Sequence, residues 1–219
     1  FPKKYGWIAL VIKKSVGILD FQTNNIASVF NCLNKIENLK ITIINHVNDL
    51  KKIHHLIIPG VGSFGAGIKN LKKNFFLDEI LLFSKNKNNF TLGICLGAQI
   101  LFEKSEEDKK KNYGLGIFKG ECKKLTTVDK YLKIPHVGWN KVSFIKENKI
   151  LLNIPDNFYA YFIHGYYIKP ILKNCILAET LHEINFPSII GDENNFGTQF
   201  HPEKSGNAGF QLFKNFIRL

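Results

Sequence analysis

The 219 residues carry a formal net charge of +12, with 45% hydrophobic and 22% charged residues, which excludes disordered, collagen-like and disulfide-dense chains and fits a globular domain. No apolar run reaches the roughly 18 residues needed to span a bilayer, so no membrane partner is expected. The lysines are scattered in small groups (Lys51-Lys52, Lys72-Lys73, Lys109-Lys110-Lys111, Lys123-Lys124) with no stripe and no nucleic-acid motif beside them, so the charge predicts no nucleic-acid partner.

In chain order, residues 1–14 open with a lysine pair and an apolar stretch that lacks a small-residue cleavage signature. This segment is set aside as an extension outside the fold, leaving 15–219 as one domain without repeats or a linker. Ser15 to Asp20 reads as a strand, and Ile26, Val29, Phe30, Leu33 and Ile36 mark the apolar stripe of a helix. Leu39 to Ile44 and His55 to Ile58 are further strands, followed by helical stretches at Ile68 to Lys73 and Leu77 to Phe83. Thr91 to Ile94 is a strand that runs directly into a helix. Alternation of this kind predicts an open, mostly parallel, doubly wound α/β sheet flanked by helices. The second half changes character. Strands are expected at Glu121 to Val128, Lys141 to Ile145, Phe158 to Ile168, Cys175 to Leu181 and Ser188 to Ile190, forming a smaller mixed or antiparallel sheet. Phe196 to Phe200 is the last strand, and a closing helix carries Leu212, Phe213, Phe216 and Ile217 on one face.

Four cysteines (Cys32, Cys95, Cys122, Cys175) lie far apart without C-x-x-C spacing. That argues for a reduced, cytoplasmic setting and against a disulfide framework; no metal and no cofactor are expected. One of the four stands out. Gly93-Ile94-Cys95-Leu96-Gly97 has glycines two residues before and two after the cysteine, the layout of a nucleophile elbow between a strand and a helix. Unpaired N–H groups and the helix dipole at such a place favour the thiolate, the nucleophilic form. The competing reading is a small cysteine that fills a core gap.

A cysteine nucleophile needs a base, and the base needs a group that fixes its tautomer. His201 and Glu203, two residues apart at a strand end marked by Pro202, supply both; the competing reading is an exposed turn at a helix start. Pro59-Gly60-Val61-Gly62 follows another strand, and its glycines let backbone N–H groups turn toward a ligand. With the Leu96 N–H, this turn (Val61, Gly62) is the candidate oxyanion hole. In open α/β sheets these strand ends share one crevice.

The stretches PGVGSF (59–64), GICLGAQ (93–99) and TQFHPEKS (198–205) together resemble a class I, triad-type glutamine amidotransferase domain. KIPHVGWN (133–140) and FIHGYY (162–167) narrow the resemblance to the glutaminase subunits of imidazole glycerol phosphate synthase, from histidine biosynthesis. Sister glutaminases for anthranilate, GMP or pyridoxal phosphate synthesis lack the PHVGWN stretch. The resemblance implies that Cys95 attacks the side-chain amide of glutamine, that His201 protonates the departing ammonia, and that Glu203 orients the histidine. It further implies glutamine contacts at Gly60, Gly62, Leu96, Gln99, Gly165 and Tyr166. Lys133, Pro135, His136, Trp139 and Asn140 would face a cyclase subunit, a (β/α)₈ barrel, in a heterodimer. There the ammonia would yield imidazole glycerol phosphate and an aminoimidazole carboxamide ribotide.

The chain departs from the family pattern in two places. Gln22 and Asn24 replace the glycines of the usual D-Y-G-x-G-N turn, which predicts a reshaped Gln22–Asn25 loop, and Gly165 stands where serine is common. Two alternatives survive: a pseudo-glutaminase that only supports its partner, and a glutaminase or cysteine hydrolase acting in another context.

Overall fold

The computed structural model describes residues 14–21, 25–108, 112–128 and 133–219. Residues 1–13, Gln22 to Asn24 of the loop expected to be reshaped, the Lys109-Lys110-Lys111 run and residues 129–132 lie outside the described residues. The first strand, β1 (Lys14–Leu19), starts one residue inside the segment set aside as an extension. Then come α1 (Ile26–Leu33), β2 (Leu39–Ile44), β3 (His55–Ile58), α2 (Phe64–Lys73), α3 (Phe76–Lys85), β4 (Phe90–Ile94) and the short α4 (Leu96–Ile100). The second half contains β5 (Lys104–Ser105), β6 (Gly120–Lys124), β7 (His136–Phe144), β8 (Phe158–His164), β9 (Tyr166–Pro170), β10 (Ile176–His182), β11 (Ile184–Gly191), β12 (Asn195–Thr198) and α5 (Gly206–Arg218).

A 9-stranded sheet runs in the order β2-β1-β3-β4-β12-β11-β10-β7-β8. Its first part, through β12, is parallel. From β12 onward the pairs are antiparallel. The antiparallel strands therefore mostly prolong the large sheet, and the separate smaller sheet is 3-stranded, β5-β6-β9.

Alternation along the parallel strands feeds two cores. Val16, Ile18, Ile57, Leu92 and Ile94 pack on one face with Val29 and Leu33 of α1 and Leu212, Phe213 and Phe216 of α5. Leu19, Leu56 and Ile58 pack on the other with Phe64, Ile68 and Leu71 of α2, Ile80 of α3, and Leu96 and Ile100 of α4. Burying one such side chain contributes about 1.5–3 kcal/mol, so helices are held on both faces.

Several boundaries depart from the sequence reading; the strand expected to reach Val128 ends at Lys124, the one expected at Ser188 to Ile190 runs Ile184–Gly191, and three departures shape the site. Phe158 to Ile168 is two strands in different sheets, because the chain turns at Gly165. β7 begins at His136 and pairs with β8 along its length, from His136↔His164 to Val142↔Phe158, despite Pro135 and a positive φ of 134° at Gly138. The strand expected to reach Phe200 ends at Thr198.

The register Thr198↔Ile94 sets the ends of β4 and β12 side by side, and the Cys95 N–H donates to the Thr198 carbonyl at 2.7 Å. That pairing brings the segments after both strands to one rim.

Candidate active site

Cys95 is the residue between β4 and α4, with φ 51° and ψ −106°. A non-glycine residue in that region is strained, and such strain persists only where the surroundings over-determine it. The flanking glycines supply the constraint. A Cβ on Gly97 would sit 1.8 Å from the Ile58 carbonyl oxygen, and one on Gly93 would sit 2.6 Å from the Ala98 nitrogen. Only glycine lets α4 start this close to β3 and β4.

His201 and Glu203 are brought together by a 3₁₀ turn (Pro202–Lys204), not by strand alternation as the sequence suggested. His201 Nδ1 lies 2.7 Å from Glu203 Oε1, and both side chains are fully buried. The His201 backbone is held from β8: its N–H donates to Tyr161 O at 2.9 Å, and Ser205 Oγ donates to its carbonyl at 2.7 Å. A Cβ on Gly209 would come within 2.0 Å of the Pro202 carbonyl oxygen, so α5 packs directly under this turn.

Burial works against charge on the His201 imidazole, but the neighbouring Cys95 sulfur and the Glu203 carboxylate outweigh it and push the pKa up to about 10. With Nδ1–H committed to Glu203, the other ring nitrogen, Nε2, is buried and has no hydrogen-bond partner among the described residues. It is the ring atom that Glu203 leaves uncommitted. The Cys95 sulfur itself stands 3.8 Å from the Ile163 carbonyl oxygen and 3.8 Å from Gln199 Nε2.

A cavity of about 220 Å³ opens at this sulfur, lined by Val61, Gly62, Leu96, Gln99, Glu107, Pro135 and the Ile163–Tyr166 segment. Most of the sequence-predicted site residues thus share one wall with Cys95. Gly60 does not line it; a Cβ there would press 2.8 Å from Leu96 Cβ, so its glycine serves the close approach of the turn to α4. Gly62 has φ 112° in open space, so it is needed for its backbone conformation. At Gly165 the nearest atom to an added Cβ is Pro135 Cβ at 3.9 Å, which leaves room for the serine common in the family. Two hollows of about 530 Å³ each lie elsewhere, one beside Lys35 and Phe210 and one beside Phe90 and Asn215, and neither includes Cys95 or His201.

The proposed partner-facing residues divide. Lys133, Pro135 and Trp139 are exposed and Asn140 is half-buried, but His136 is buried, and its assignment to the interface is corrected. Strand alternation turns it inward, where it stacks between Phe162 (4.8 Å) and His182 (4.0 Å). Its Nδ1 lies 3.1 Å from His164 Nε2, and His164 Nδ1 donates to the Tyr166 carbonyl at 2.9 Å. Burial pushes His136 down to about 4 and His164 to about 3, so both are neutral. The Tyr166 carbonyl also accepts from Gln99 Nε2 at 2.9 Å.

Three contributors escaped the sequence reading. Glu107 puts a carboxylate on the cavity wall and accepts from the Phe64 N–H at 2.7 Å, at the head of α2. Gln199, fully buried, lies 3.4 Å from Gln99. Asn25, also buried, donates to Glu203. Gln199 at least sat inside a quoted motif; Glu107 is one acid in a charged run and carried no signal. No cluster suited to a metal ion occurs among the described residues. No helix among them is long and apolar enough to cross a membrane.

The class of protein that this sheet and its cysteine elbow define is matched by the family model "Glutamine amidotransferase class-I", over residues 17–219. Solved structures agree on the fold: a glutamine amidotransferase crystal structure (TM-score 0.72, 17% identity, 93% of this chain and 97% of that one) and the PurLQS structure from Thermotoga maritima (TM-score 0.74, 17% identity, 94% and 99%). More similar in sequence is the imidazole glycerol phosphate synthase subunit HisH of Methanocaldococcus jannaschii, 40% identical over 93% of this chain and 99% of that protein. The subunit of the same name from Bacillus subtilis is 37% identical over 93% and 96%. The chain belongs to the class I glutamine amidotransferases and, among them, to the family of imidazole glycerol phosphate synthase subunit HisH.

Proposed function

We propose that this glutaminase subunit of imidazole glycerol phosphate synthase, serving histidine biosynthesis, works through Cys95, His201 and Glu203. The Cys95 thiolate attacks the side-chain amide carbon of glutamine. The oxyanion that develops is met by backbone N–H groups of the Val61–Gly62 turn and of Leu96; one such donor typically contributes about 100- to 1,000-fold in turnover. As the C–N bond breaks, His201 Nε2–H gives its proton to the departing ammonia, leaving a thioester. The now neutral imidazole takes a proton from water, which attacks the thioester carbonyl; the C–S bond breaks, glutamate leaves, and the thiolate–imidazolium pair is restored. Glu203 holds Nδ1–H throughout, so the reactive nitrogen keeps its orientation.

The amino-acid end of glutamine needs its own partners. Gln99, tied back to the Tyr166 carbonyl, and Glu107 line the cavity, and Glu107 supplies the negative charge that an α-ammonium group requires. Ammonia then passes to a separate cyclase subunit, read here as a (β/α)₈ barrel in a heterodimer, in the cytoplasm. The docking face is the outer side of β7 and β8, where Val137, Trp139, Tyr159 and Ile163 are exposed large hydrophobic residues, Trp139 at 56%. Ile163 and Pro135 belong to that region and to the cavity wall, so the exit for ammonia opens under the partner.

The observation that carries this reading is the buried His201 imidazole, bound at Nδ1 by Glu203, at the rim where the pairing of β4 with β12 also sets Cys95. The test is glutamate release with and without the cyclase. Cys95→Ala should abolish glutamine-dependent synthesis while added ammonia still supports it; normal glutamine use by this variant would remove Cys95 from the mechanism.

A further inference from the structure

We infer that Asn25 is a positioning residue: its side-chain amide clamps the Glu203 carboxylate and so sets the histidine that Glu203 orients. The inference rests on the triad reading above. Asn25 stands at the N-cap of α1, a place where asparagine is among the best residues because its side-chain oxygen accepts an orphan helix N–H. Here it makes no side-chain cap at all. Its amide is turned away from its own helix, toward a turn 178 residues later in the chain. Asn25 Nδ2 lies 2.5 Å from Glu203 Oε1 and 3.4 Å from His201 Nδ1. Since Nδ1 carries the proton shared with Glu203, the carboxylate oxygen is the acceptor for the amide.

The environment makes that donor matter. The Glu203 side chain is fully buried, its Oε2 has no hydrogen-bond partner among the described residues, and Oε1 is met by His201 Nδ1 and Asn25 Nδ2. A buried carboxylate without fixed donors is free to rotate toward any other proton source, and its hold on the imidazole loosens. Asn25 is 5% exposed, so water does not substitute for it. A helix that gives up its own cap to hold a carboxylate is consistent with structural economy being subordinated to the site.

Two substitutions separate capping from clamping. Asp and Ser cap helices about as well as Asn. Asn25→Asp keeps the shape but replaces the donor with a like charge against Glu203, and Asn25→Ser is too short to reach it. Asn25→Ser should melt within about 4 °C of wild type, while Asn25→Asp, which buries a second carboxylate beside Glu203, should melt lower but still cooperatively. Both should lower kcat for glutamine hydrolysis in the presence of the cyclase about tenfold or more, with KM for glutamine little changed. In the isolated chain, the far-downfield proton resonance of His201 Nδ1–H, assigned by its loss in His201→Gln, should move or broaden in both variants. Wild-type kcat together with an unmoved resonance in either folded variant would overturn the clamp. If wild type itself released no glutamate with the cyclase, the glutaminase reading would fail, while the resonance would still judge the clamp.

Discussion

The two ends of the large sheet are built to different rules. From β2 to β12 the strands are parallel, and the segments β3, β4 and β12 are buried almost throughout. From β11 to β8 they are antiparallel, and β8 alternates buried with exposed or half-buried positions along its length. A parallel sheet covered on both faces tolerates little change, whereas an antiparallel edge can leave one face open. The candidate site straddles the boundary: Cys95 comes from the parallel side, His201 and Glu203 follow the boundary strand, and the cavity is closed by Ile163 to Tyr166 from the antiparallel side. The tight half holds Cys95 in a strained conformation, and the open half leaves Val137, Trp139, Tyr159 and Ile163 exposed.

The sharpest way to break this contrast is one methyl group on each side. Gly97→Ala places a Cβ 1.8 Å from the Ile58 carbonyl oxygen, where both sides of the clash are backbone. It should cost about 3 kcal/mol, read as a lower urea midpoint at unchanged slope. Gly165→Ala meets nothing closer than 3.9 Å and should change stability by less than about 0.5 kcal/mol. Equal costs at the two sites would refute the division of the sheet into a tight and a tolerant half. Next in size, Trp139→Ala on the open face should leave folding unchanged but weaken association with the cyclase by about 2 kcal/mol, roughly thirtyfold in Kd, measured by titration calorimetry.

The same division decided what could be read from the chain. β2 and β3 coincide with their apolar-rich runs: β3 is buried throughout, and β2, the half-buried edge strand, still carries Ile41, Ile43 and Ile44 in a short run bounded by helices. The elbow was legible because its two glycines are a local requirement of the turn. β7 was misjudged: Pro135 and Gly138 look like loop residues, and only pairing with β8 makes them part of a strand. His136 was placed outward because a motif does not record strand phase, and phase is fixed by the partner strand. Glu107 and Asn25 were invisible for a further reason. Glu107 touches the site from a segment with no local pattern, and Asn25, the last residue of the turn motif after β1, reaches a turn 178 residues away, so their proximity is a property of packing alone.

The smallest expected effect tests whether the tight half carries a defect of its own. His55 opens β3, stacked 5.1 Å from Phe90 and edge-on 5.3 Å from Phe216, and neither ring nitrogen has a hydrogen-bond partner among the described residues. Burial first, then the charges of Lys14 and His54, push it down to about 4. It is neutral in the fold, while the unfolded chain takes up a proton below about 6.5. Its contribution to stability therefore falls as pH drops from about 6.5 toward 4. His136 and His164 act in the same direction on the antiparallel side. His201, pushed up to about 10, acts oppositely: its contribution is complete below about 6.5 and is lost as pH rises toward 10. His55→Leu removes two unpaired buried nitrogens and should stabilise the protein by roughly 1 kcal/mol at pH 7. The gain should be larger at pH 5, where the wild-type imidazole opposes folding more than at pH 7. Denaturant titrations at both pH values decide the point: a variant whose advantage does not grow on acidification would show that His55 is satisfied in the fold, and would leave the acid sensitivity to His136 and His164.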